Sequence, residues 1–182
     1  MPEVRRRPLL LLFASGGFAA LVGLWVALSP GSERPLYTGM PAPGFELPDL
    51  EGRMVSLTEQ RGRVVFINLW ATWCAPCRTE APALERLYRE LGGQGFEVLA
   101  ISIDDADQRE AVESFRDEFQ LTFPILLDPG RVVYAAYQAT GVPETFVVDA
   151  EGRLAEWFIG PRSYDEPRFA RAVERLLESR GL

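Results

Sequence analysis

Apolar residues recur along this chain with two different spacings, which together predict alternating strands and helices. Residues 64–70 are apolar at almost every position, a pattern typical of a central strand that is covered on both faces. Residues 76–91 then place apolar side chains at helical spacing, and this pattern ends at Gly92 and Gly93. The first prediction is therefore a buried strand that leads directly into a helix.

The alternation of strands and helices continues to the end of the chain. The pattern predicts strands at 96–103, 125–128, 145–148 and 154–159, and helices at about 107–119, 131–138 and 166–179. The strand-helix-strand unit favours parallel strands, whereas the turn at 150–152 favours an antiparallel pair. Two short alternating runs in residues 45–57, around Glu51 and Gly52, predict a hairpin ahead of the buried strand. We expect one α/β domain with a central mixed sheet.

The N-terminal region predicts a membrane anchor. Three arginines at residues 5–7 precede an uncharged stretch, of which residues 9–28 would span about 30 Å as a helix, enough to cross a bilayer. Positive charge before the stretch and none directly after it predict a cytoplasmic N-terminus and an extracytoplasmic domain. Small residues at Ala27 and Ser29 also allow a cleaved signal peptide. Pro30 after the cut and the length of the stretch favour a retained anchor.

A proline-rich segment at residues 29–43 follows the apolar stretch. It contains four Pro and two Gly with little apolar periodicity, which is typical of a linker. The sequence thus predicts a cytoplasmic tip and transmembrane anchor at residues 1–28, a linker at 29–43 and a globular domain at 44–182. Outside the membrane the environment is oxidising, so a thiol pair that works in its reduced form requires an electron donor.

Composition narrows the chemistry that this domain can perform. The chain has 182 residues, 47% of them hydrophobic, which is enough to build a core without a framework of disulfides and leaves its two Cys free for chemistry. From residue 35 onward, 15 Arg are outnumbered by 24 Asp and Glu, which argues against nucleic-acid binding. The absence of His excludes Cys-His catalysis and haem ligation by His.

The two cysteines form a CxxC motif at the predicted start of the first helix. The positive end of that helix and its unsatisfied N–H groups favour a thiolate at Cys74, whereas Cys77 would lie one turn inside as the resolving thiol. A structural disulfide is a weaker alternative, because so short a loop removes little entropy from the unfolded chain. A zinc site is weaker still, because it would have only carboxylates for its other ligands. We predict no metal and no cofactor.

Two motifs carry a resemblance to a known family. Residues 68–80 (NLWATWCAPCRTE) and 141–149 (GVPETFVVD) resemble the thioredoxin superfamily, and in particular its membrane-anchored TlpA, ResA and CcmG-like branch; the chain also resembles the AhpC/TSA-like redoxin domains. The resemblance covers nearly all of residues 41–182. It implies a three-layer α/β/α sandwich with a central mixed sheet, an N-terminal hairpin extension and a redox-active disulfide.

The resemblance also implies how a substrate is bound. The residue that matches Pro143 forms a cis peptide facing the nucleophile Cys74, and Val142 would offer backbone hydrogen bonds to a bound substrate strand. Trp73 and Pro76, which flank the cysteines, complete the expected substrate-binding set. A loop proline without such a role is the alternative for Pro143.

Acidic residues near the motif bear on the direction of electron flow. Thioredoxins carry a buried Asp where this chain has Asn68, and in the similar branch a Glu at the position of Glu80 tunes the cysteine pair. Glu144 resembles an acid that contributes to partner choice in cytochrome c maturation proteins. Two carboxylates near the pair would raise the cysteine pKa values and favour a reductase. The simpler alternatives are a helix-dipole role for Glu80 and an exposed loop charge for Glu144.

Together these features predict a disulfide reductase of proteins. By resemblance, the expected client is the CxxCH segment of an apocytochrome c, and the expected donor is a transmembrane thiol relay. A copper-site protein of oxidase assembly is the second client, and a Cu(I)-binding module without catalysis is the alternative from another class. A peroxidase is disfavoured because Ala71 stands where that family has Thr.

Overall fold

The computed structural model describes residues 35–179. The predicted anchor at residues 9–28 and the linker as far as residue 34 lie outside the described residues. Within residues 35–179, no helix is both long enough and apolar enough to cross a membrane.

The described residues form seven strands and four α-helices, joined by short turns. In chain order they are β1 (Glu46–Pro48), β2 (Met54–Ser56), β3 (Val64–Trp70), α1 (Ala75–Leu91), β4 (Phe96–Ser102), α2 (Arg109–Phe119), β5 (Ile125–Leu127), α3 (Val132–Ala136), β6 (Glu144–Val148), β7 (Leu154–Ile159) and α4 (Pro167–Glu178). The helix after β3 begins at Ala75, one residue before the predicted start. Pro82 lies inside α1, in a helix whose buried side includes Ala81, Leu84 and Leu87.

The main sheet has five strands in the order β5-β4-β3-β6-β7. Strands β3, β4 and β5 are parallel, whereas β6 is antiparallel to β3 and β7 is antiparallel to β6. The mixed sheet that the sequence predicted is therefore present. Strands β1 and β2 form a separate antiparallel pair. Residues 39–42 run beside the start of β7, where Gly39 N–H donates to the Leu154 carbonyl at 2.7 Å.

Strand β3 lies at the centre of the sheet, and every one of its residues is buried. Its side chains alternate between two apolar clusters, as the period of a strand requires. Val64, Phe66 and Trp70 contact the cluster that includes residues of α1, α2 and α4. Val65, Ile67 and Leu69 contact the cluster on the other face, which includes Val133 of α3. Helices therefore cover both faces of the sheet, and β3 is buried up to its last residue, a few positions before the chain enters α1.

Candidate active site

The disulfide lies at the junction of β3 and α1. Cys74 is the N-cap of α1, and Pro76 occupies the first turn, where a missing N–H costs no helical hydrogen bond. The two sulfur atoms are bonded at 2.07 Å, with 5.3 Å between the Cα atoms. The Cys77 N–H also donates to the Cys74 sulfur at 3.2 Å. The structure thus holds the CxxC pair in its oxidised form at the start of a helix.

This position favours negative charge on the outer sulfur. The first N–H groups of a helix have no partner within the helix, and its dipole is positive at this end. Because the Cys74 sulfur already accepts one of these N–H groups, a thiolate released there by reduction would be stabilised by the same contact. The arrangement suits Cys74 for attack on a disulfide.

A cis peptide bond lies at the same edge of the sheet. The Val142–Pro143 bond is cis, as the resemblance implied. The next residue, Glu144, pairs with Leu69 near the end of β3, so the Pro143 loop and the cysteine turn lie at the same end of adjacent strands. The Gly160 N–H donates to the Pro143 carbonyl at 2.9 Å and ties this loop to the end of β7.

The residues around the disulfide differ widely in exposure. Trp73 is 65% exposed, whereas Cys74 and Cys77 are only 4% and 2% exposed. Pro76 is exposed, Val142 is half-buried and Pro143 is buried. Trp73 and Pro76 therefore expose side-chain surface next in sequence to a buried disulfide.

Glu80 belongs to a buried polar network behind the cysteines. It is 3% exposed. Its carboxylate accepts hydrogen bonds from Asn68 Nδ2 at 2.9 Å and from the Arg162 N–H at 3.0 Å. Asn68 Nδ2 also donates to Thr145 Oγ1 at 2.9 Å, and that hydroxyl lies 2.6 Å from the Tyr164 hydroxyl. Asn68 and Glu80, which the sequence analysis treated separately, are thus joined by a direct hydrogen bond.

The environment of Glu80 changes its titration. Burial raises the pKa of Glu80 from 4.5 to about 7, although the hydrogen bonds from Asn68 and Arg162 act in the opposite direction. Glu80 and Cys77 line the same small cavity of about 10 Å³, room for a single water molecule. A carboxyl group whose pKa is raised to about 7 therefore lines the same cavity as the inner cysteine.

Glu144 is buried rather than exposed on its loop. It is 3% exposed, and its carboxylate accepts the Thr140 N–H at 3.0 Å. Burial raises the pKa of Glu144, while hydrogen bonds from Thr140 and Gly141 lower it. The carboxylate thus faces the loop that carries Pro143. The burial of Glu144 could have been predicted from the sequence, because alternate residues of a strand share a face and Glu144 therefore lies on the same face as Phe146 and Val148.

Sequence reasoning missed a second buried acid at this edge of the sheet. Asp104 follows β4 and accepts hydrogen bonds from the Thr72 N–H and from the Thr72 hydroxyl, the latter at 2.7 Å. The C-terminal ends of adjacent parallel strands meet at one edge, so a polar residue just after β4 faces the turn just after β3. This rule could have predicted from the sequence that Asp104 lies near the turn that carries Thr72. No group of three or more potential metal ligands occurs in the described part of the chain.

The chain is similar to known proteins over most of its length. Residues 38–157 match the model of the AhpC/TSA family. The thiol-disulfide oxidoreductase ResA of Geobacillus thermodenitrificans (strain NG80-2) is 36% identical over 158 residues, which are 87% of this chain and 87% of that protein. ResA of Bacillus anthracis is 32% identical over 162 residues, covering 88% of this chain and 90% of that protein.

Solved structures share the fold. A putative thiol:disulfide interchange protein DsbE from Chlorobium tepidum matches with a TM-score of 0.71 and 28% identity, covering 78% of this chain and 99% of that chain. A putative protein disulfide isomerase from Bacteroides thetaiotaomicron matches with a TM-score of 0.66 and 29% identity, covering 79% and 89%. The disulfide, the cis proline and the mixed sheet described above are thus found in a chain similar to thiol-disulfide exchange proteins over most of its length.

Proposed function

This chain belongs to the AhpC/TSA family, as a TlpA/ResA/CcmG-like thiol-disulfide oxidoreductase of the thioredoxin superfamily, and we propose that it works as a reductase of protein disulfides. The observation that carries the proposal is the CxxC disulfide at a helix N-terminus, at the same sheet edge as a cis proline. Its substrates are protein disulfides, and the proposal concerns the direction of electron flow and the roles of individual residues.

The proposed reaction transfers two electrons to the client. The Cys74 thiolate attacks one sulfur of the client disulfide, a mixed disulfide forms and the other client sulfur leaves as a thiolate. Cys77, as a thiolate, then attacks the Cys74 sulfur and releases the second client thiolate. The client is reduced to a dithiol, and the protein returns to the oxidised Cys74–Cys77 pair. Trp73, Pro76, Val142 and Pro143 would contact the client strand.

Glu80 supports both the proton transfer and the direction. Its pKa of about 7 allows it to take up the proton that Cys77 loses when it resolves the mixed disulfide. In its charged form, a buried carboxylate beside the pair disfavours thiolate. A less stable reduced form corresponds to a lower reduction potential, which is the property of a reductase.

Glu144 contributes to client choice in this proposal. Its buried carboxylate holds the Thr140 N–H, so its influence on a client passes through the shape of the Pro143 loop rather than through an exposed charge. By resemblance, we propose that the preferred client is the CxxCH segment of an apocytochrome c. A copper-site protein is the alternative client.

The cell compartment is also a proposal. We propose that residues 9–28 form a transmembrane anchor, with the N-terminus in the cytoplasm. A linker at 29–43 would then connect this anchor to an extracytoplasmic domain at 44–182. Because that compartment is oxidising, a transmembrane thiol relay would resupply the electrons.

A trapping experiment tests the function and identifies the client. A Cys77→Ser variant expressed in the source organism should accumulate mixed disulfides through Cys74, because the resolving thiol is absent. Mass spectrometry of the trapped partners should find apocytochromes c. Trapped copper-site proteins would replace that client with the alternative, and a Cys77→Ser protein that traps nothing would contradict the reductase proposal.

A further inference from the structure

Thr72, in the turn that presents Cys74, is hydrogen-bonded to Asp104, which follows the neighbouring strand β4. Its backbone N–H lies 3.2 and 3.0 Å from the two carboxylate oxygens of Asp104, and its hydroxyl donates to the Asp104 Oδ1 at 2.7 Å. The Cys74 N–H donates back to the Ala71 carbonyl at 3.2 Å and closes the turn. The position of the outer cysteine is thus linked to the carboxylate of Asp104.

Asp104 is itself fixed in place. It is 5% exposed, and Ser102 at the end of β4 donates its hydroxyl to the Asp104 Oδ2 at 2.7 Å. The Asp104 N–H donates in return to the Ser102 hydroxyl oxygen at 3.1 Å. A buried carboxylate that loses its hydrogen bonds carries a large desolvation cost, so the Thr72 contacts resist opening of the turn.

We propose that Asp104 and Thr72 form a positioning pair that holds Cys74 in the geometry for attack on a disulfide. Neither residue reacts; each acts through the turn. The inference rests on the proposed role of Cys74 as the nucleophile. A thiolate that attacks a disulfide needs its sulfur aligned with the bond that breaks, and a loosened turn loses that alignment. Removing the Thr72 hydroxyl therefore slows exchange even though no charge changes.

The chain contains a matched control for this pair. Thr122 donates its N–H to Glu85 Oε2 at 2.9 Å and its hydroxyl to Glu85 Oε1 at 2.7 Å, the same arrangement of one Thr and one buried carboxylate. Glu85 lies on α1 about two turns after Cys77, at 3.6 residues per turn. Loss of this second pair affects stability without touching the turn before Cys74.

The test compares three variants of the full-length protein in detergent micelles. The reduced proteins are mixed with oxidised glutathione, and the second-order rate constant of exchange and the pH profile of Cys74 alkylation are measured. Thr72→Val should exchange about 10-fold more slowly than the parent, because a misplaced reacting group lowers the rate. Thr72→Ser, which keeps the hydroxyl, should restore the rate to within about twofold of the parent. Thr122→Val should also stay within about twofold, although its denaturation midpoint falls.

A coupling measurement excludes a simple effect of charge. Adding Thr72→Val to Asp104→Ala should slow exchange no further than Asp104→Ala alone, because the two residues act as one unit. Ser102→Ala removes a donor to the same carboxylate and should also slow exchange. If Thr72→Val does not fold, the exchange rate of Ser102→Ala tests the positioning role in its place.

Two results would overturn the positioning role. One is a folded Thr72→Val with the parent rate, and the other is an equal slowing by Thr122→Val, which would mean that lost stability alone lowers the rate. A parent protein that cannot reduce glutathione disulfide at all would instead contradict the proposed reductase function.

Discussion

Glu80 gives the most quantitative prediction, because its titration is linked to the stability of the fold. Its pKa rises from 4.5 to about 7 in the folded protein. At about 1.36 kcal/mol per pKa unit, the charged carboxylate is roughly 3.4 kcal/mol less favourable in the folded state than in the unfolded chain. The folded state binds the proton more tightly, so this group costs stability as the pH rises from 4.5 to 7, and its full cost is present above that window.

The perturbation is Glu80→Gln, which removes the titration and keeps the size of the side chain. Gln also replaces one acceptor with a donor facing the Arg162 N–H or Asn68 Nδ2, which lowers stability by a similar amount at every pH. The informative quantity is therefore the change between two pH values. From pH 5 to pH 8, the Glu80 contribution to the free energy of unfolding falls by about 2.5 kcal/mol in the parent and by nothing in the variant.

Urea denaturation of the oxidised protein at pH 5 and pH 8 measures this difference. Glu90→Gln is the matched control, because Glu90 is exposed on the same helix and its replacement should leave the pH dependence of the parent unchanged. If parent and Glu80→Gln lose the same stability between the two pH values, the buried carboxyl does not titrate near neutral pH. The proton-transfer role proposed for it would then have no physical basis.

The other predictions concern the cysteines, the potential and the membrane. Cys74→Ser should abolish exchange and Cys77→Ser should stop at the mixed disulfide; alkylation of the reduced protein should label Cys74 first, and preferential labelling of Cys77 would reverse the assignment. Glu80→Gln should lower the Cys74 pKa and raise the reduction potential, where a shift of 30 mV corresponds to about 1.4 kcal/mol, whereas Glu144→Gln should act mainly on client choice. Redox titration of each variant against glutathione measures the potential, and thiolate absorbance measures the cysteine pKa. If both variants match the parent in potential and in pKa, the argument for direction loses its physical basis. Because residues 9–28 are expected to anchor it, the full-length protein should stay in the membrane fraction after carbonate extraction. A soluble mature form that starts near residue 30 would contradict the anchor.

The core of the fold and the reactive pair could be predicted from local patterns. Continuous apolar character placed β3 at the centre of the sheet, and the change from strand to helical spacing placed Cys74 at a helix start. The helical spacing also indicates that Glu80 is buried, because Glu80 lies four and seven residues before the buried Leu84 and Leu87 on the same face of the helix. The cis bond before Pro143 came from the resemblance, because local sequence alone favours trans.

The contacts between distant segments could not be predicted in the same way. Thr72 and Asp104 meet only because β3 and β4 are parallel neighbours, and strand order is not a local property of the sequence. By contrast, the hydrogen bond from the Thr140 N–H to Glu144 joins residues only four positions apart, and the role of Glu144 near the cysteines stays a prediction from the resemblance. For Asp104, tertiary packing decided the partner of a buried acid.

Direct transfer of electrons to a client is the most immediate test of the account. The reduced protein is mixed with an oxidised peptide that carries a CxxCH segment, and both masses are followed by mass spectrometry with Cys74→Ser as the control. The account predicts that the protein loses two hydrogen atoms to form the Cys74–Cys77 disulfide, the peptide gains two, and the control transfers none. A peptide that stays oxidised beside a protein that stays reduced would contradict it, and so would transfer that persists without Cys74.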